Sequence, residues 1–213
     1  MIFRSWHGLV GTFTGVVFIT VAVLPLVALG AWALARRRSA AGARRAAWRT
    51  SLADVGILYG TVPWVWMIML PGGRAGTVPG RVSLVPLRDL VTMSTGQIIG
   101  NLLVFAALGL LVPLRFPALA SVPRILALAA ACSALVETAQ YVLQLDRVSS
   151  VDDVLLNAAG AGLAALASRR WWRTTATSAD RPHTAGRREG TQDGEAPGRT
   201  QSGGEPFTAS GGQ

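Results

Sequence analysis

Apolar residues in this chain fall into long blocks, separated by short clusters of arginine, glycine and proline. The first block covers residues 8–35, with Arg4 ahead of it and Arg36, Arg37 and Arg38 behind. A cleaved signal peptide would have an apolar core of about 7–15 residues. This block is much longer and its basic cluster follows it, which predicts a retained membrane helix. Pro25 predicts a kink or tilt, and Trp6 and Trp32 fall toward the two interfaces. Residues 36–49, with Arg44 and Arg45, then read as a basic loop.

A second span is predicted over 52–70, bent at Pro63 and closed by Pro71, Gly72 and Gly73. Asp54 falls in its first turn, where an acid complements the helix dipole. The connection 71–95 is polar and carries Arg74, Arg81, Arg88 and Asp89, although 83–90 (SLVPLRDL) is apolar enough to lie on the membrane surface. A third span follows over 96–114, capped by Ser94 with Gln97 and ended by Pro113 and Pro117. The fourth covers 125–145. The fifth covers 151–167 and is closed by Arg169, Arg170 and Arg173 beside Trp171 and Trp172. Each span is close to the ~20 residues that a hydrocarbon core requires. From Thr174 onward Gly, Ser, Thr, Pro and charge dominate, which predicts disorder. The pattern is that of an all-α, polytopic membrane helix bundle of about five spans with a disordered C-terminal tail.

Composition agrees. Of 213 residues 51% are hydrophobic and only 15% charged, against about a quarter charged in soluble domains. The mean hydropathy is +0.41. The net charge of +9 is carried by arginine without lysine, and those arginines sit at the ends of apolar runs. A nucleic-acid partner would need a basic face on a soluble module, so none is expected. The lone Cys132 rules out an internal disulfide and any cysteine metal site. Counting arginines over the short loops makes the side holding 36–49, Arg115, Arg124 and Arg169–Arg173 cytoplasmic. The expected location is the cell membrane, multi-pass, with the N-terminus outside and the tail inside.

Alternation of the spans has a consequence that does not depend on orientation. It brings the start of the third, the end of the fourth and the start of the fifth to one face. Gln97, Asn101, Glu137, Gln140, Arg147, Asp152, Asp153 and Asn157 then share one half of the membrane, the outer half by the arginine count. Glu137 lies eight residues before Leu145, roughly 12 Å below the expected helix end at 1.5 Å per residue. A glutamate cannot snorkel that far, so it must be neutral, paired or facing a wet cavity. Gln140 and Tyr141 share its face. Ser150 with Asp153 fits a capping box, and acids in a first turn suit the dipole. Asn157, four residues past Asp153, has no such role, and neither has Asn101. Hydrogen bonding between helices competes for both asparagines. Arg147 can pair with Glu137, Asp152 or Asp153, and Arg88 is a second candidate. Gly160 and Gly162 permit close helix approach.

These residues resemble the VanZ-like family of small bacterial membrane proteins. The likeness rests on LVPLRDL, on GNLLVFAALGLLVPL with Asn101 and Pro113, on Glu137 with Gln140, and on Arg147 followed by VDDVLLNAAGAG. Ser150 departs from the pattern, standing where many relatives carry an acid. The resemblance divides the chain into an extra N-terminal helix and basic loop (1–50), a VanZ-like transmembrane domain (51–173) and the tail (174–213). The family takes its name from an accessory protein associated with reduced teicoplanin sensitivity, and no biochemical activity is established for it. The reading that follows is an outward-facing polar pocket for a membrane lipid, a lipid-linked cell-wall precursor or a glycopeptide, without a cofactor. Arg88 and Arg147 would hold anionic groups; Glu137, Asp153, Asn101 and Asn157 would fix orientation. The alternative is an intramembrane enzyme acting on a lipid-linked head group. There Glu137 would be the general base, or would hold a divalent ion together with Asp152 and Asp153.

Overall fold

In the computed structural model, residues 11–39 and 44–179 are described, with side chains through residue 172. Arg4, Trp6 and His7 lie outside the described residues, and so does most of the tail read as disordered, 180–213. The architecture is helical. Helix α1 (Phe13–Ala22) and helix α2 (Leu24–Ser39) meet at a 42° bend beside Pro25 and together are long enough to form one span. Helix α3 (Arg44–Ile68) follows, then helix α4 (Thr95–Val104) and helix α5 (Ala106–Arg115). Helix α6 is Val122–Val142 and helix α7 is Val151–Ala179. The α4–α5 pair, broken only at Phe105, reads as one span of 21 residues. Among the described residues four helices are thus long and apolar enough to cross a membrane, or five spans with the bent pair.

The boundaries differ from those expected in three places. The basic stretch read as a loop is helical where it is described: α2 runs through Ser39 and α3 starts at Arg44, so Arg36, Arg37, Arg38, Arg44, Arg45 and Arg49 are helical. Ala and Arg are good helix formers, so both helices continue past the apolar blocks that lipid sets. Asp54 therefore sits well inside α3, not in a first turn. It pairs with Arg38 of α2 at 2.8 Å and with Arg115 of α5 at 2.6 Å, tying three helices at one end. Helix α6 stops at Val142, three residues early, because the chain turns through left-handed conformations at Gln144 (φ 50°) and Asp146 (φ 55°). Glu137 is consequently five residues from its helix end, roughly 7–8 Å, and not twelve. Helix α7 extends past the expected end to Ala179, taking in the first residues of the predicted tail.

The core is built from small side chains, as expected where lipid is the solvent and close backbone approach replaces hydrophobic exclusion. Ala129, Ala161, Ala165, Ser133 and Ser168 are fully buried. A Cβ built on Gly160 would enter the backbone carbonyl of Leu102, and one on Gly109 that of Ala161. Helix α7 therefore lies against α4 and α5 with backbones nearly touching. Large apolar side chains point outward instead: Leu135 is 71% exposed. So extensive an apolar coat is rare on soluble monomers.

At one end of the bundle two three-residue strands, β1 (Arg81–Ser83) and β2 (Val148–Ser150), pair in parallel with Val82 opposite Ser149. Neither was expected. They join the 71–95 connection to the turn between α6 and α7. Further bonds reinforce that join: Gly72 N–H donates to the Leu145 carbonyl and Gly76 N–H to that of Gln144, both at 2.9 Å.

Candidate functional site

The end of α6, strand β2 and the first turns of α7 and α4 surround a cavity of about 410 Å³, closed on one side by the 71–95 connection. It is lined by Asp89, Gln97, Asn101, Glu137, Gln140, Asp146, Arg147, Ser150, Asp153 and Asn157, with Arg81 and a few apolar side chains. Most of its polar groups are held by specific partners, and those partners fix which atoms remain for a ligand.

Glu137 is 9% exposed, and its carboxyl accepts from the Ser150 N–H at 3.1 Å. The Ser149 hydroxyl donates to the Glu137 carbonyl at 2.9 Å, so β2 is fastened to the last turns of α6. Gln140, one turn later, donates its amide to the Ile68 carbonyl at the end of α3 (2.9 Å). Asn101 of α4 donates its amide to the Asp153 carboxyl of α7. Asn157 donates to the Ser133 hydroxyl of α6 at 2.7 Å. Asn157 is 1% exposed, and its Oδ1 has no hydrogen-bond partner although it borders the cavity. The helix-joining role weighed for the asparagines is thus real for both, and both also face the cavity.

Arg147 donates through Nε to the Leu70 carbonyl at 3.2 Å, and its guanidinium lies on the exposed side. Among the described residues no acid forms an ion pair with it, which corrects the expected pairing with Glu137, Asp152 or Asp153. Among the acids that line the cavity, it is Asp146 that has arginines beside it, Arg74 at 3.8 Å and Arg81 at 4.0 Å. Asp89 receives a hydrogen bond from the Ser150 hydroxyl at 2.7 Å. The hydroxyls of Ser83 and Ser150 hold its carboxyl below the ordinary 3.8, because a hydrogen-bonded carboxylate is favoured over the acid.

A family model described as VanZ/LLP1 matches residues 57–172, more than half of the chain. The chain belongs to the VanZ-like family. Among curated proteins and solved structures, none matches. This VanZ-like chain is accordingly a membrane protein, and the match begins inside α3, so α1 and α2 lie outside it.

The fold of this VanZ-like protein brings Asn101, Glu137, Gln140, Arg147, Asp153 and Asn157 to one cavity. It separates the other two sequence candidates from it. Asp152 is 2% exposed and turns away: its carboxylate accepts from the backbone N–H groups of Leu87 (2.5 Å), Asp89 (2.9 Å) and Leu90 (3.1 Å). Arg88 is exposed on that same loop and is not part of the lining. With Asp152 committed to the loop, the three-carboxylate ion site does not form. Among the described residues no group of three His, Cys, Asp or Glu side chains is placed to hold a metal.

Ser150 does not close a capping box with Asp153. Its hydroxyl accepts from the Asp152 N–H at 3.2 Å while donating to Asp89. An acid at this position would oppose Asp89; serine makes the contact a hydrogen bond. The box predicted at Ser94 and Gln97 does form, and Gln97 borders the cavity as well. Sequence reasoning missed Asp89 and Asp146 as members of the lining. Asp89 had a signal, an acid held within the apolar LVPLRDL segment. Asp146 had none, because its place depends on two left-handed residues in a turn.

Proposed function

We propose that this VanZ-like protein binds the polar head group of a cell-envelope lipid or lipid-linked cell-wall precursor from the outer side of the membrane. Through that binding it contributes to glycopeptide tolerance. One observation carries the reading: a chain coated in apolar side chains places a charged and amide-lined cavity of about 410 Å³ at one end of its bundle. Buried ionisable groups in a membrane bundle are costly and mark ligand sites by default. Arg147, with no acid partner among the described residues, is the group available to an anionic moiety. Glu137, Asp153, Asn101 and Asn157 orient the rest. The arginine bias of the loops supports an open end facing outward, where glycopeptides meet their cell-wall targets.

The test has two parts. In a Cys132→Ala background, Glu137→Cys, Arg147→Cys and Asp153→Cys should react with a membrane-impermeant thiol reagent added from outside intact cells. In a teicoplanin-sensitive bacterial host, expression should raise tolerance, and Glu137→Ala and Arg147→Ala should each abolish the rise. Unchanged tolerance in both variants, or labelling only from the cytoplasmic side, removes the reading. The rival, catalysis on the same head group with Glu137 as general base, is separated by turnover of a lipid-linked substrate by purified protein.

A further inference from the structure

The atoms that the buried side of the cavity leaves for a ligand are acceptors. Four side-chain amides border it. The three on the buried side have turned their nitrogens to the protein: Asn101 to Asp153, Asn157 to Ser133 and Gln140 to the Ile68 carbonyl. Gln97, at the exposed rim, instead turns its oxygen to Ser94. What remains at the buried side is the Asn157 Oδ1, without any partner, and the carboxyls of Glu137 and Asp153. Buried polar atoms in native proteins are satisfied in the great majority of cases, so an orphaned acceptor on a cavity wall points to a donor from outside the chain.

The charge balance runs the same way. Asp89, Glu137, Asp146 and Asp153 border the cavity against Arg81 and Arg147. Asp146 is matched by Arg74 and Arg81, which leaves three carboxyls facing one arginine. A purely anionic head group would meet Arg147 at the rim and then a wall of like charge. The two signs are also sorted by depth: Arg147 is exposed, whereas Glu137 is 9% and Asn157 1% exposed. A second, largely apolar groove of about 260 Å³ shares Glu137 and Ser150 with the cavity and is walled by Val82, Leu84, Tyr141 and Val154. A hydrocarbon chain there would continue directly from a head group in the cavity.

Resting on the lipid-binding reading above, we propose that the preferred ligand is zwitterionic. Its ammonium end donates to Asn157 Oδ1, Glu137 and Asp153, and its anionic end meets Arg147. The chemistry is an ammonium and a phosphate a few bonds apart, available from an aminophospholipid or from a free phosphorylated amine. The adjoining groove favours the lipid.

The full-length protein in detergent, given equimolar phosphatidylethanolamine and phosphatidylglycerol, reports the preference directly by native mass spectrometry of retained lipid. Phosphatidylethanolamine should be retained about tenfold more, the effect of one well-placed charge-assisted contact. Asp153→Asn, close in shape and still able to accept from Asn101, should remove most of that preference, and Asn157→Leu should do likewise. A melting curve shows whether each variant is folded. Equal retention of the two lipids, or a preference intact in both folded variants, overturns the zwitterion assignment while leaving lipid binding standing. Retention of neither lipid overturns the assignment to an aminophospholipid, and the broader lipid-binding reading is then decided by the labelling and tolerance tests above. Free phosphoethanolamine should displace the bound lipid where sn-glycerol 3-phosphate does not, and equal displacement by the two refutes the ammonium contact. Phosphoethanolamine binding as tightly as the lipid makes a soluble zwitterion the source; binding at least about tenfold weaker makes it the lipid.

Discussion

Asp152 offers the sharpest test of how the cavity wall is held. Its carboxylate takes three backbone N–H groups of the 87–90 loop, at 2.5, 2.9 and 3.1 Å, from a helix that lies more than sixty residues away in sequence. The other ties on the loop are the Ser150 hydroxyl on Asp89 and the β1–β2 pairing just ahead of it. Leu87 is left-handed at φ 64°, costly for a branched side chain, and is 61% exposed. Asp152→Ala removes both acceptor oxygens, and with them all three bonds, and leaves the helix backbone intact. Water reaches the opened loop, so each lost bond is worth about 1 kcal/mol, the typical net value for a hydrogen bond and less than a fully buried charged acceptor gives. Three bonds come to roughly 3 kcal/mol, a shift of the loop-opening equilibrium by about 100-fold.

Arg88 stands in the middle of this loop, so trypsin reads its opening directly. Cleavage after an exposed arginine tracks the population of the open form when reclosing is fast. The full-length Asp152→Ala protein in detergent should be cut at Arg88 up to about 100-fold faster than the parent. Arg74 lies on a separate turn pinned through Asp146, and cleavage there should change little. Asp152→Asn, which retains one acceptor oxygen, should fall between. Equal rates at Arg88 in parent and Asp152→Ala would show that the carboxylate does not hold the loop. A rise at Arg74 matching that at Arg88 would show general unfolding and refute the local account equally.

Two further outcomes follow from packing and from protonation. Gly160→Ala forces a methyl into the Leu102 carbonyl and should cost about 1–3 kcal/mol, read as a lower unfolding temperature; Gly30→Ala, with nothing within 4 Å of the added carbon, should not lower it, and equal effects would refute the close α4–α7 approach. The Asp89 carboxyl titrates below its ordinary 3.8 when folded, so the unfolded chain binds the proton first as the pH falls. Its contribution to closing the 83–90 segment is therefore present above that pH and fades as pH drops through and below it. Hydrogen exchange of the segment, corrected for intrinsic rates, should show this acid-sensitive component in the parent and lack it in Asp89→Asn.

What the sequence made legible was set by the lipid. Blocks of about twenty apolar residues announce the spans because every backbone group in hydrocarbon must be satisfied within a helix. Helix ends were less legible, because hydropathy reports where lipid stops and not where hydrogen bonding stops. Helix α3 begins eight residues before the expected span and α7 ends twelve residues after it, both through arginine-containing stretches that remain helical in water. The short strands were invisible, since three residues give no alternation to read.

The cavity shows the same division at the level of single residues. Alternation of spans and i, i+4 spacing sufficed to bring Asn101, Glu137, Arg147, Asp153 and Asn157 to one end of the bundle. They did not suffice to choose between neighbours. Asp152 and Asp153 are adjacent on α7 and so point about 100° apart, and only the position of the 87–90 loop decides that the first meets backbone amides and the second faces the cavity. The Arg147 pairing failed for a related reason: a guanidinium held by the Leu70 carbonyl at the rim is no longer free to reach acids five to ten residues away along the chain. Which polar groups a membrane bundle gathers is thus a property of its threading. Which of their atoms stay unpaired, and hence what the site can take, is decided by loops that span-by-span reading leaves blank.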